Sequence, residues 1–488
     1  MDIAHIALEL APLIKAGGLA DVVHGLSAEQ ARQGHTVKVI VPLYGFLNKK
    51  NIDLVDSNEK FVINEKNAWH NNQVFRKKID AVEVIFIEMH HPDKYFSQKN
   101  IYGHKDDIAR FLYFSRAALE FLLNDKKQID ILHLHDWHVS ACAVIVKDIL
   151  KKHKLKVKKT VLTVHNFHYQ GKCAAHDLDN IGLIGNNYLK QNLLQDADKD
   201  HPTSINLLKG GINFSDAVTT VSDTYAKELL QDLHTYGLGK TIEQSKNKLI
   251  GILNGLDTNQ WDPSSDDDLF FNFSKEQSSA EIIKNKAKNK QALLNELNIH
   301  GDELPLFIFI GRLVKQKGVE ILEPVIKHIL NKGGVFILCG SAIDSSIQKH
   351  FDLLKEKYEY SKKAHFHFDY NESLTRKMYS SSDFILVPSL FEPCGLVQLI
   401  AMRYGSIPIV RKTGGLNDSV NDFEKPGLKN GIVFDEFSKV DFTSAVDRAF
   451  HIYQKNNTEE LLKKIMQIDF SWRISTKKYL ELYKKLLA

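Results

Sequence analysis

The sequence is poor in cysteine, in long apolar runs and in excess charge of either sign, and each shortage excludes a class of protein. The four cysteines, Cys142, Cys173, Cys339 and Cys394, are far apart and form no Cys-x-x-Cys pair. We therefore expect a reducing compartment, with neither a disulfide framework nor a zinc cluster. Lys and Arg number 64 against 60 Asp and Glu, a net charge of +4 that is too small to indicate a nucleic-acid partner.

The apolar segments are short. None approaches the roughly 20 residues that a membrane span needs, so no membrane partner is expected. The first ten residues, MDIAHIALEL, lack the basic region and the apolar length of a signal peptide. The predicted location is the cytoplasm.

Signatures of metal and dinucleotide sites are also missing. The turn at 15–19 lacks the Gly-x-Gly-x-x-Gly spacing of a dinucleotide dehydrogenase. Two Asp-x-Asp pairs, at 177–179 and 198–200, do not follow an apolar strand. They are interpreted as loop charges and not as a site for Mg²⁺ or Mn²⁺ under a diphosphate. His133 and His135 share one strand face next to Asp136, but further ligands at later strand ends are not evident. Only bound metal found by elemental analysis would favour a metallohydrolase.

The 488 residues exceed what one hydrophobic core usually serves. An apolar strand at 3–8, a glycine turn, a helix with Leu19, Val22, Val23 and Leu26 at helical spacing, and a strand at 37–41 form a βαβ unit. Further strands are predicted at 82–87, 129–134, 160–164 and 216–221. Such near-continuous apolar runs are typical of parallel sheets covered on both faces.

The same alternation restarts near Pro305. Five strand candidates lie between 306 and 410, and a helix over 318–331 is predicted directly after Gln316-Lys317-Gly318. The polar stretch 262–289 between the halves is predicted to be a surface excursion, and the last residues a terminal helix. The predicted fold class is α/β, with two Rossmann-like, doubly wound domains facing a central cleft.

Glycines and cations follow several predicted strands. Gly17-Gly18 and Gly395 come where a strand turns into a helix, and helix N-termini offer unpaired N–H groups to anions. Lys15, Arg312 and Lys317 lie near these turns in the sequence. Because open sheets bind ligands at the carboxyl ends of their strands, this pattern favours a site for a diphosphate.

Several motifs together carry a resemblance. They are KAGGLADVV (15–23), HLHDWH (133–138), TVHNFHYQG (163–171), LKGGINFSDAVTTVS (208–222), GILNGLD (251–257), GRLVKQKG (311–318), FEPCGLVQLIAMRYGSIPIVRKTGGLNDSV (391–420) and DFSW (469–472). In this order they closely resemble the bacterial glycogen synthase and plant starch synthase family, from the first strand to the last helix. The resemblance implies the GT-B fold. It implies an acceptor-side domain at 1–253, a sugar-nucleotide domain at 254–468 and a terminal helix at 469–488 that returns to the first domain.

The resemblance also implies site residues. Those expected at the reacting bond are His165, Arg312, Lys317 and Glu392. Those expected to bind the donor besides Arg312 and Lys317 are Lys15, Gly18, Asn254, Cys394, Gly395, Leu396 and Thr413. Asp21 and Asp136 are expected to line the cleft on the acceptor side. Cys394 is interpreted as a packing residue because no histidine partner for a nucleophile is evident nearby.

The implied activity is retaining transfer of glucose from ADP-glucose to the non-reducing 4-hydroxyl of an α-1,4-glucan such as glycogen. UDP-glucose remains an alternative donor, and a non-catalytic glucan-binding relative is the alternative to an enzyme. No metal or other cofactor is expected, since positive side chains can take a metal's place. No second catalytic carboxylate is evident, so we hypothesise front-face displacement in which the departing phosphate helps to deprotonate the acceptor. The stretch 172–205 resembles the family poorly, which leaves the preferred glucan length open.

Overall fold

The computed structural model describes residues 1–65, 68–150, 155–190, 193–196, 202–369, 371–455 and 458–488. The chain divides into two compact units, which we call unit 1 (Met1–Gly255 with Trp472–Ala488) and unit 2 (Leu256–Ser471). The boundaries predicted from the sequence, 253/254 and 468/469, differ from these by two and three residues. One assignment changes as a result, because Asn254, placed in the second domain from the sequence, lies in unit 1.

Unit 1 contains a sheet of nine strands in the order β11-β10-β7-β6-β1-β2-β5-β4-β3. Its strands are β1 (Asp2–Ile6), β2 (Thr36–Pro42), β3 (Val55–Glu65), β4 (Ala68–Ile79), β5 (Val82–His90), β6 (Ile129–His135), β7 (Val157–Val164), β10 (Ala217–Thr220) and β11 (Leu249–Gly251). A separate antiparallel pair is formed by β8 (Lys172–Ala174) and β9 (Ser204–Asn206). The nine-stranded sheet is parallel except where β4 pairs with β3 and β5.

The helices of unit 1 before the boundary are α1 (Gly18–Arg32), α2 (Asp107–Asp125), α3 (Ala141–Ile145), α4 (Leu207–Phe214), α5 (Asp223–Leu230) and α6 (Gly239–Gln244). The apolar positions that predicted α1, among them Leu19, Val23 and Leu26, all face the core. Strands β3 and β4 were not predicted. β3 is polar and largely exposed along its first six residues, so it lacks the alternation that identifies a half-buried strand.

Unit 2 contains a fully parallel six-stranded sheet in the order β14-β13-β12-β15-β16-β17. Its strands are β12 (Leu306–Ile310), β13 (Val335–Cys339), β14 (Ala364–His367), β15 (Phe384–Val387), β16 (Ile407–Arg411) and β17 (Ile432–Phe434). The five strands predicted between 306 and 410 are confirmed, and the three-residue β17 was missed. This order is that of a doubly wound Rossmann sheet.

The helices of unit 2 are α7 (Ser279–Glu296), α8 (Leu322–Asn331), α9 (Ser345–Glu359), α10 (Glu372–Ser381), α11 (Val397–Arg403), α12 (Gly414–Ser419), α13 (Lys439–Gln454) and α14 (Thr458–Met466). The helix predicted over 318–331 was too long. Two single 3₁₀ turns precede α8, because Gly318 between them has a φ of 76°, which interrupts a right-handed helix.

The prediction of a surface excursion at 262–289 was wrong. Ser278 and Glu281 form a capping box at the start of α7, and this helix buries Ile282 and Asn289 in unit 2. Ahead of it, the buried carboxylate of Asp266 accepts a hydrogen bond from Arg376 at 3.0 Å. The polar composition of residues 262–289 therefore did not indicate that parts of this segment are buried in unit 2.

The last helix, α15 (Trp472–Leu487), belongs to unit 1. Its first side chain, Trp472, is buried against two glycines. A Cβ at Gly25 of α1 would lie 1.8 Å from Trp472 Nε1, and a Cβ at Gly255 would lie 2.5 Å from Trp472 Cα. Both positions therefore need glycine for the helix to pack as it does.

Candidate active site

Each sheet has a point where the strand order reverses, and most of the predicted site residues follow the strands that flank it. In unit 1 the reversal is between β1 and β6, and in unit 2 it is between β12 and β15. Loops from the carboxyl ends of two such strands diverge to opposite faces and leave a crevice in which ligands bind.

Three of the predicted residues, which we call the cation cluster, follow the two strands at the reversal point of unit 2: Arg312 and Lys317 come after β12, and Glu392 comes after β15. Lys317 Nζ lies 2.5 Å from Glu392 Oε2, and this pair links the loop after β12 to the loop after β15. The same carboxylate oxygen accepts a 2.9 Å hydrogen bond from the hydroxyl of Ser389. Glu392 is therefore a buried carboxylate, fixed by two donors.

Arg312 is exposed and forms no ion pair with any residue that the structure describes. A guanidinium carries its charge at every accessible pH and presents several N–H donors in one plane. This position at the end of β12 thus supplies a permanent positive charge that is not neutralised by a protein carboxylate.

The loops around the cation cluster approach one another through glycines. A Cβ at Gly318 would lie 2.0 Å from the carbonyl oxygen of Pro388, and one at Gly414, where φ is 43°, would lie 2.0 Å from that of Glu392. Gly415 N–H donates to the Glu392 carbonyl at 2.9 Å. Residues with side chains would force these loops apart, so the glycines fix where Glu392 sits.

The remaining predicted residues of unit 2 lie on these same loops. Cys394 is buried, and Gly395 has a φ of 77° just before α11. Leu396 is the N-cap of α11, and the buried Thr413 is the N-cap of α12. The amide of Gln398, which sequence reasoning missed, holds the turn by donating to the carbonyls of Cys394 and Gly395.

In unit 1 the loop after β1 holds Lys15 and Gly18. Lys15 Nζ forms a partly exposed ion pair with Asp21 Oδ1 at 2.8 Å, and Gly18 is the first residue of α1. The loop is shaped by Glu9, which sequence reasoning missed. This buried carboxylate accepts hydrogen bonds from the N–H groups of Ala16 at 2.7 Å and Gly17 at 2.9 Å. An acidic residue directly after the strand predicted at 3–8 was the available signal.

Asp136 and His165 are brought together at the ends of the neighbouring strands β6 and β7. The N–H of His165 donates to Asp136 Oδ1 at 2.7 Å. Asp136 has a φ of 63° and a ψ of 179°, a conformation that is nearly exclusive to glycine. Such strain, on the order of 1–3 kcal/mol, persists where the surroundings demand it and is frequent in active sites.

Burial shifts the protonation of both groups. It raises the pKa of Asp136 to about 7, with a further increase from the negative charge of Glu9 and an opposing effect of the His165 N–H. Burial also lowers the pKa of the His165 ring to about 3, so this imidazole is neutral near neutral pH. Perturbed groups in a crevice are characteristic of functional sites.

Aromatic side chains line a pocket of about 340 Å³ in unit 1, and none of them was predicted. Its walls include Trp137, His168, Tyr169 and Tyr236. The ring of His168 meets both tyrosines edge to face, at centroid distances of 4.9 and 4.7 Å. The motifs HLHDWH and TVHNFHYQG contained most of these rings, and attention to their aromatic content could have found the pocket.

Two groups of side chains have the proximity that a metal site needs. One is His5, His133 and His135; the other is Glu65, His70 and His91. In the first, both nitrogens of every ring already have a hydrogen-bond partner within unit 1. In the second, the backbone N–H of Asp93 donates to His91 Nδ1, so that Nε2 carries the proton shared with Glu65. Metal binding would have to break these bonds.

The other predicted positions are also accounted for. Asn254 is buried, and its Oδ1 accepts no hydrogen bond from the described residues. Asp177 and Asp179 accept backbone N–H groups of Ala174 and Gly185, which agrees with their interpretation as loop charges. Asp198-Lys199-Asp200 lies outside the described residues. No helix in the described part of the chain is long and apolar enough to cross a membrane.

Comparison with known proteins supports the family resemblance seen in the sequence motifs. Residues 2–244 match the family described as starch synthase catalytic domain, and residues 291–465 match glycosyl transferases group 1. A glycogen synthase of Protochlamydia amoebophila is 42% identical, with both chains covered completely. A probable starch synthase 4 of Arabidopsis thaliana is 39% identical over the whole of this chain and 47% of its own length.

Solved structures agree with these sequence relatives. The catalytic domain of starch synthase IV from Arabidopsis thaliana, bound to ADP and acarbose, superposes with a TM-score of 0.93 at 38% identity, covering 100% of this chain and 99% of that one. A sucrose-phosphate synthase from Thermosynechococcus elongatus has a TM-score of 0.60 at 17% identity and shares the fold. The chain therefore belongs to the family of bacterial glycogen synthases and plant starch synthases, and it is a hexosyltransferase with the GT-B fold.

Proposed function

We propose that this protein is a glycogen synthase that transfers glucose from ADP-glucose to the non-reducing 4-hydroxyl of an α-1,4-glucan and releases ADP, with retention at the anomeric carbon. The observation that carries the proposal is the cation cluster at the reversal point of the unit 2 sheet. The bound ADP of the plant structure supports adenine as the base. We propose the cytoplasm as its location.

The cation cluster is suited to the leaving group. Breaking the bond between the anomeric carbon and phosphate leaves negative charge on the diphosphate, and donors fixed in advance stabilise it without reorganising. Arg312 offers a charge that is unpaired among the described residues, and Lys317 is held by Glu392 at 2.5 Å. We propose that both bind the diphosphate, supported by Lys15 and the backbone of Gly18, and that no metal ion is needed.

The donor sugar develops positive charge, opposite to the negative charge of the diphosphate, and its surroundings must differ accordingly. The anomeric carbon becomes positive in the transition state, and a cationic imidazole beside it would be repelled. The low pKa of His165 keeps its ring neutral, and the carboxyl of Asp136 holds its backbone. We propose that His165 and Glu392 contact the donor glucose, and that backbone N–H groups of Gly395 and Leu396 orient it. Cys394, Thr413 and Asn254 complete the proposed donor site.

The acceptor is proposed to bind along unit 1. Pyranose rings stack on aromatic side chains, and the pocket of Trp137, Tyr169 and Tyr236 offers such surfaces. Asp21 and Asp136 are proposed to contact hydroxyls of the glucan. Because no second carboxylate has been identified as a nucleophile, we favour displacement on one face, with the departing phosphate accepting the proton of the attacking 4-hydroxyl.

One assay tests the proposal. Initial rates of glucosyl transfer to glycogen are measured with ADP-glucose and UDP-glucose side by side, with and without a metal chelator. Faster transfer from ADP-glucose, unchanged by the chelator, is expected. Glucan binding without transfer from either nucleotide would instead identify a non-catalytic relative, and a glucosyl ester on an Asp or Glu, detected by mass spectrometry, would contradict one-face displacement.

A further inference from the structure

A continuous chain of hydrogen bonds runs through the interior of unit 1 and ends at His165. Its members, from the far end, are Thr219, Thr163, His133, Tyr483, Gln30, His5, His135 and His165. Successive side chains are joined at 2.6, 2.6, 2.6, 3.3, 2.8, 3.0 and 3.2 Å. All members except His165 are fully buried. They come from β1, α1, β6, β7, β10 and α15, so the chain depends on the tertiary fold.

The amide of Gln30 determines which atom donates and which accepts in each hydrogen bond of this chain. Gln30 Oε1 can only accept, so His5 Nε2 carries the hydrogen that it accepts. Burial lowers the pKa of His5 to about 4 and that of His135 well below its usual value, so both rings are neutral and each has one donor and one acceptor. His5 Nδ1 must therefore accept from His135 Nε2, and His135 Nδ1 must accept from His165 Nε2.

The hydrogen bonds on the other side of Gln30 also have their donors fixed by its amide. The amide nitrogen of Gln30 donates to the Tyr483 oxygen, so the Tyr483 hydroxyl donates to His133 Nδ1. His133 Nε2 then donates to Thr163. Rotating the amide of Gln30 by 180° would reverse every donor and move the hydrogen of His165 to Nδ1. A single side-chain amide, 0% exposed, thus determines the tautomer of a site residue.

We propose that His135 and His5, oriented by Gln30, are positioning residues that hold His165 in its Nε2–H tautomer, leaving Nδ1 free to accept a hydrogen bond from a sugar hydroxyl. This rests on the proposed function. Within the described residues His165 Nδ1 has no hydrogen-bond partner, whereas Nε2 is engaged by His135. The ring thereby offers the donor sugar a fixed lone pair and no acidic proton.

Two histidines on one face of β6 provide a matched test. His133 and His135 are two residues apart, both are 0% exposed, and only His135 contacts His165. The variants His135→Phe and His133→Phe remove similar buried rings at similar cost to packing. Ring tautomers are measured in the intact protein by proton–nitrogen correlation after ¹⁵N-histidine labelling, with the His165 signals assigned by their loss in His165→Ala.

We expect wild-type His165 to show Nε2 protonated and Nδ1 bare. His135→Phe should perturb this signature. It should also lower kcat about 10- to 100-fold, the usual cost of removing a group that orients a ligand residue through a hydrogen bond. Its KM for ADP-glucose should stay near the wild-type value, because the nucleotide contacts remain. His133→Phe should keep the His165 signature and most of the activity.

Three results would overturn the proposal. One is protonation of wild-type His165 at Nδ1. Another is an unchanged His165 signature in His135→Phe, and the third is an equal loss of kcat in both variants, which would indicate packing alone. The wild-type tautomer is measured without His135→Phe and His133→Phe, and His165→Ala is needed only to assign its signals. The wild-type measurement also separates this proposal from the function, since an inactive wild-type protein with the predicted tautomer would contradict only the proposed transfer reaction.

Discussion

The residues predicted at the reacting bond differ in charge between the two units: His165 of unit 1 lies among neutral histidine rings, and those of unit 2 keep their ionic charges. In unit 1 the groups around His165 are buried rings whose pKa values are lowered by burial, so they stay uncharged. In unit 2 the cation cluster keeps full charges, with Arg312 exposed and Lys317 paired to Glu392. Neutral dipoles can be buried once their hydrogen bonds are satisfied, whereas ions need a partner or water.

This difference fits a reaction that separates charge. A positive anomeric carbon is best served by neutral acceptors and a nearby carboxylate, and a departing diphosphate by fixed cations. It also explains why the histidines of unit 1 do not need a metal to account for their clustering, since each ring nitrogen of His5, His133 and His135 is satisfied by a protein partner.

Removing the charges of unit 2 should have the largest effect. Arg312→Ala and Lys317→Ala are each expected to lower kcat about 10²- to 10³-fold, because each removes a donor to the leaving group. Lys315→Ala is the matched control, since Lys315 lies in the same 3₁₀ turn with its side chain 75% exposed. The measurement is the initial rate of transfer to glycogen at saturating ADP-glucose.

Thermal unfolding separates the two variants further. Lys317→Ala leaves the buried carboxylate of Glu392 without its cation and should lower Tm, whereas Arg312→Ala should leave Tm unchanged because Arg312 has no protein partner among the described residues. Undiminished polymer synthesis after both replacements would exclude any role of these cations in the reaction.

The carboxyl of Asp136 should impose a pH dependence that originates in unit 1. Its pKa is raised to about 7 by burial, so it is mainly protonated below that pH and ionised above it. Besides its proposed contact with the glucan, the ionised carboxylate places a negative charge next to His165 that stabilises a positive anomeric carbon. The value of kcat should therefore rise with pH through about 7. In Asp136→Asn this rise should vanish, and the rate should stay near the low value that wild type shows in acid.

Arg312→Ala provides the comparison for this titration. It should lower the rate at every pH and keep the rise near 7, since its charge does not titrate in this range. A rise that persists in Asp136→Asn would assign the titration to another group and remove Asp136 from the reaction.

How much could be predicted differs between the two units as well. The turns of unit 2 that carry Arg312, Lys317 and Glu392 were visible because glycines and charges directly follow apolar strands. The chain through Gln30 and Tyr483 was not, since its members are 453 residues apart in sequence and meet only in the fold. Helix α7 was hidden by its polar composition, although Ser278 and Glu281 had the spacing of a capping box.

The aromatic pocket of unit 1 should affect the acceptor alone. Tyr169→Ala and Tyr236→Ala are expected to raise KM for glycogen about 3- to 10-fold, as an aromatic contact contributes on the order of 1 kcal/mol. KM for ADP-glucose should not change. Tyr360→Ala is the control, because Tyr360 is 94% exposed in unit 2 and lies far along the chain from this pocket. Equal KM values for glycogen in all three variants would place the acceptor elsewhere.

The smallest effect on activity is expected at Lys286. This residue also tests the contrast between neutral buried groups in unit 1 and charged groups in unit 2. This lysine is an exception in unit 2, since it is buried without contact to a carboxylate of any described residue. It donates to the carbonyls of Ser380 and Tyr404 at 3.0 and 2.9 Å. Burial lowers its pKa to about 7, with an opposing effect of Asp383 and a further decrease from Lys290. Above pH 7 it is therefore neutral, in the manner of the histidines of unit 1.

The sign of the resulting pH dependence follows from proton binding. Between pH 7 and the usual lysine pKa of 10.5, the unfolded chain binds a proton that the folded chain does not, so the free energy of unfolding rises with pH in this window. Lys286→Met should remove that contribution, and the stability difference between wild type and variant should change by up to about 1.4 kcal/mol per pH unit. Lys284→Met, at an exposed position of the same helix, should show no such change. If the difference in denaturant unfolding is the same at pH 7 and pH 10, Lys286 stays charged in the folded protein, held only by the carbonyls of Ser380 and Tyr404.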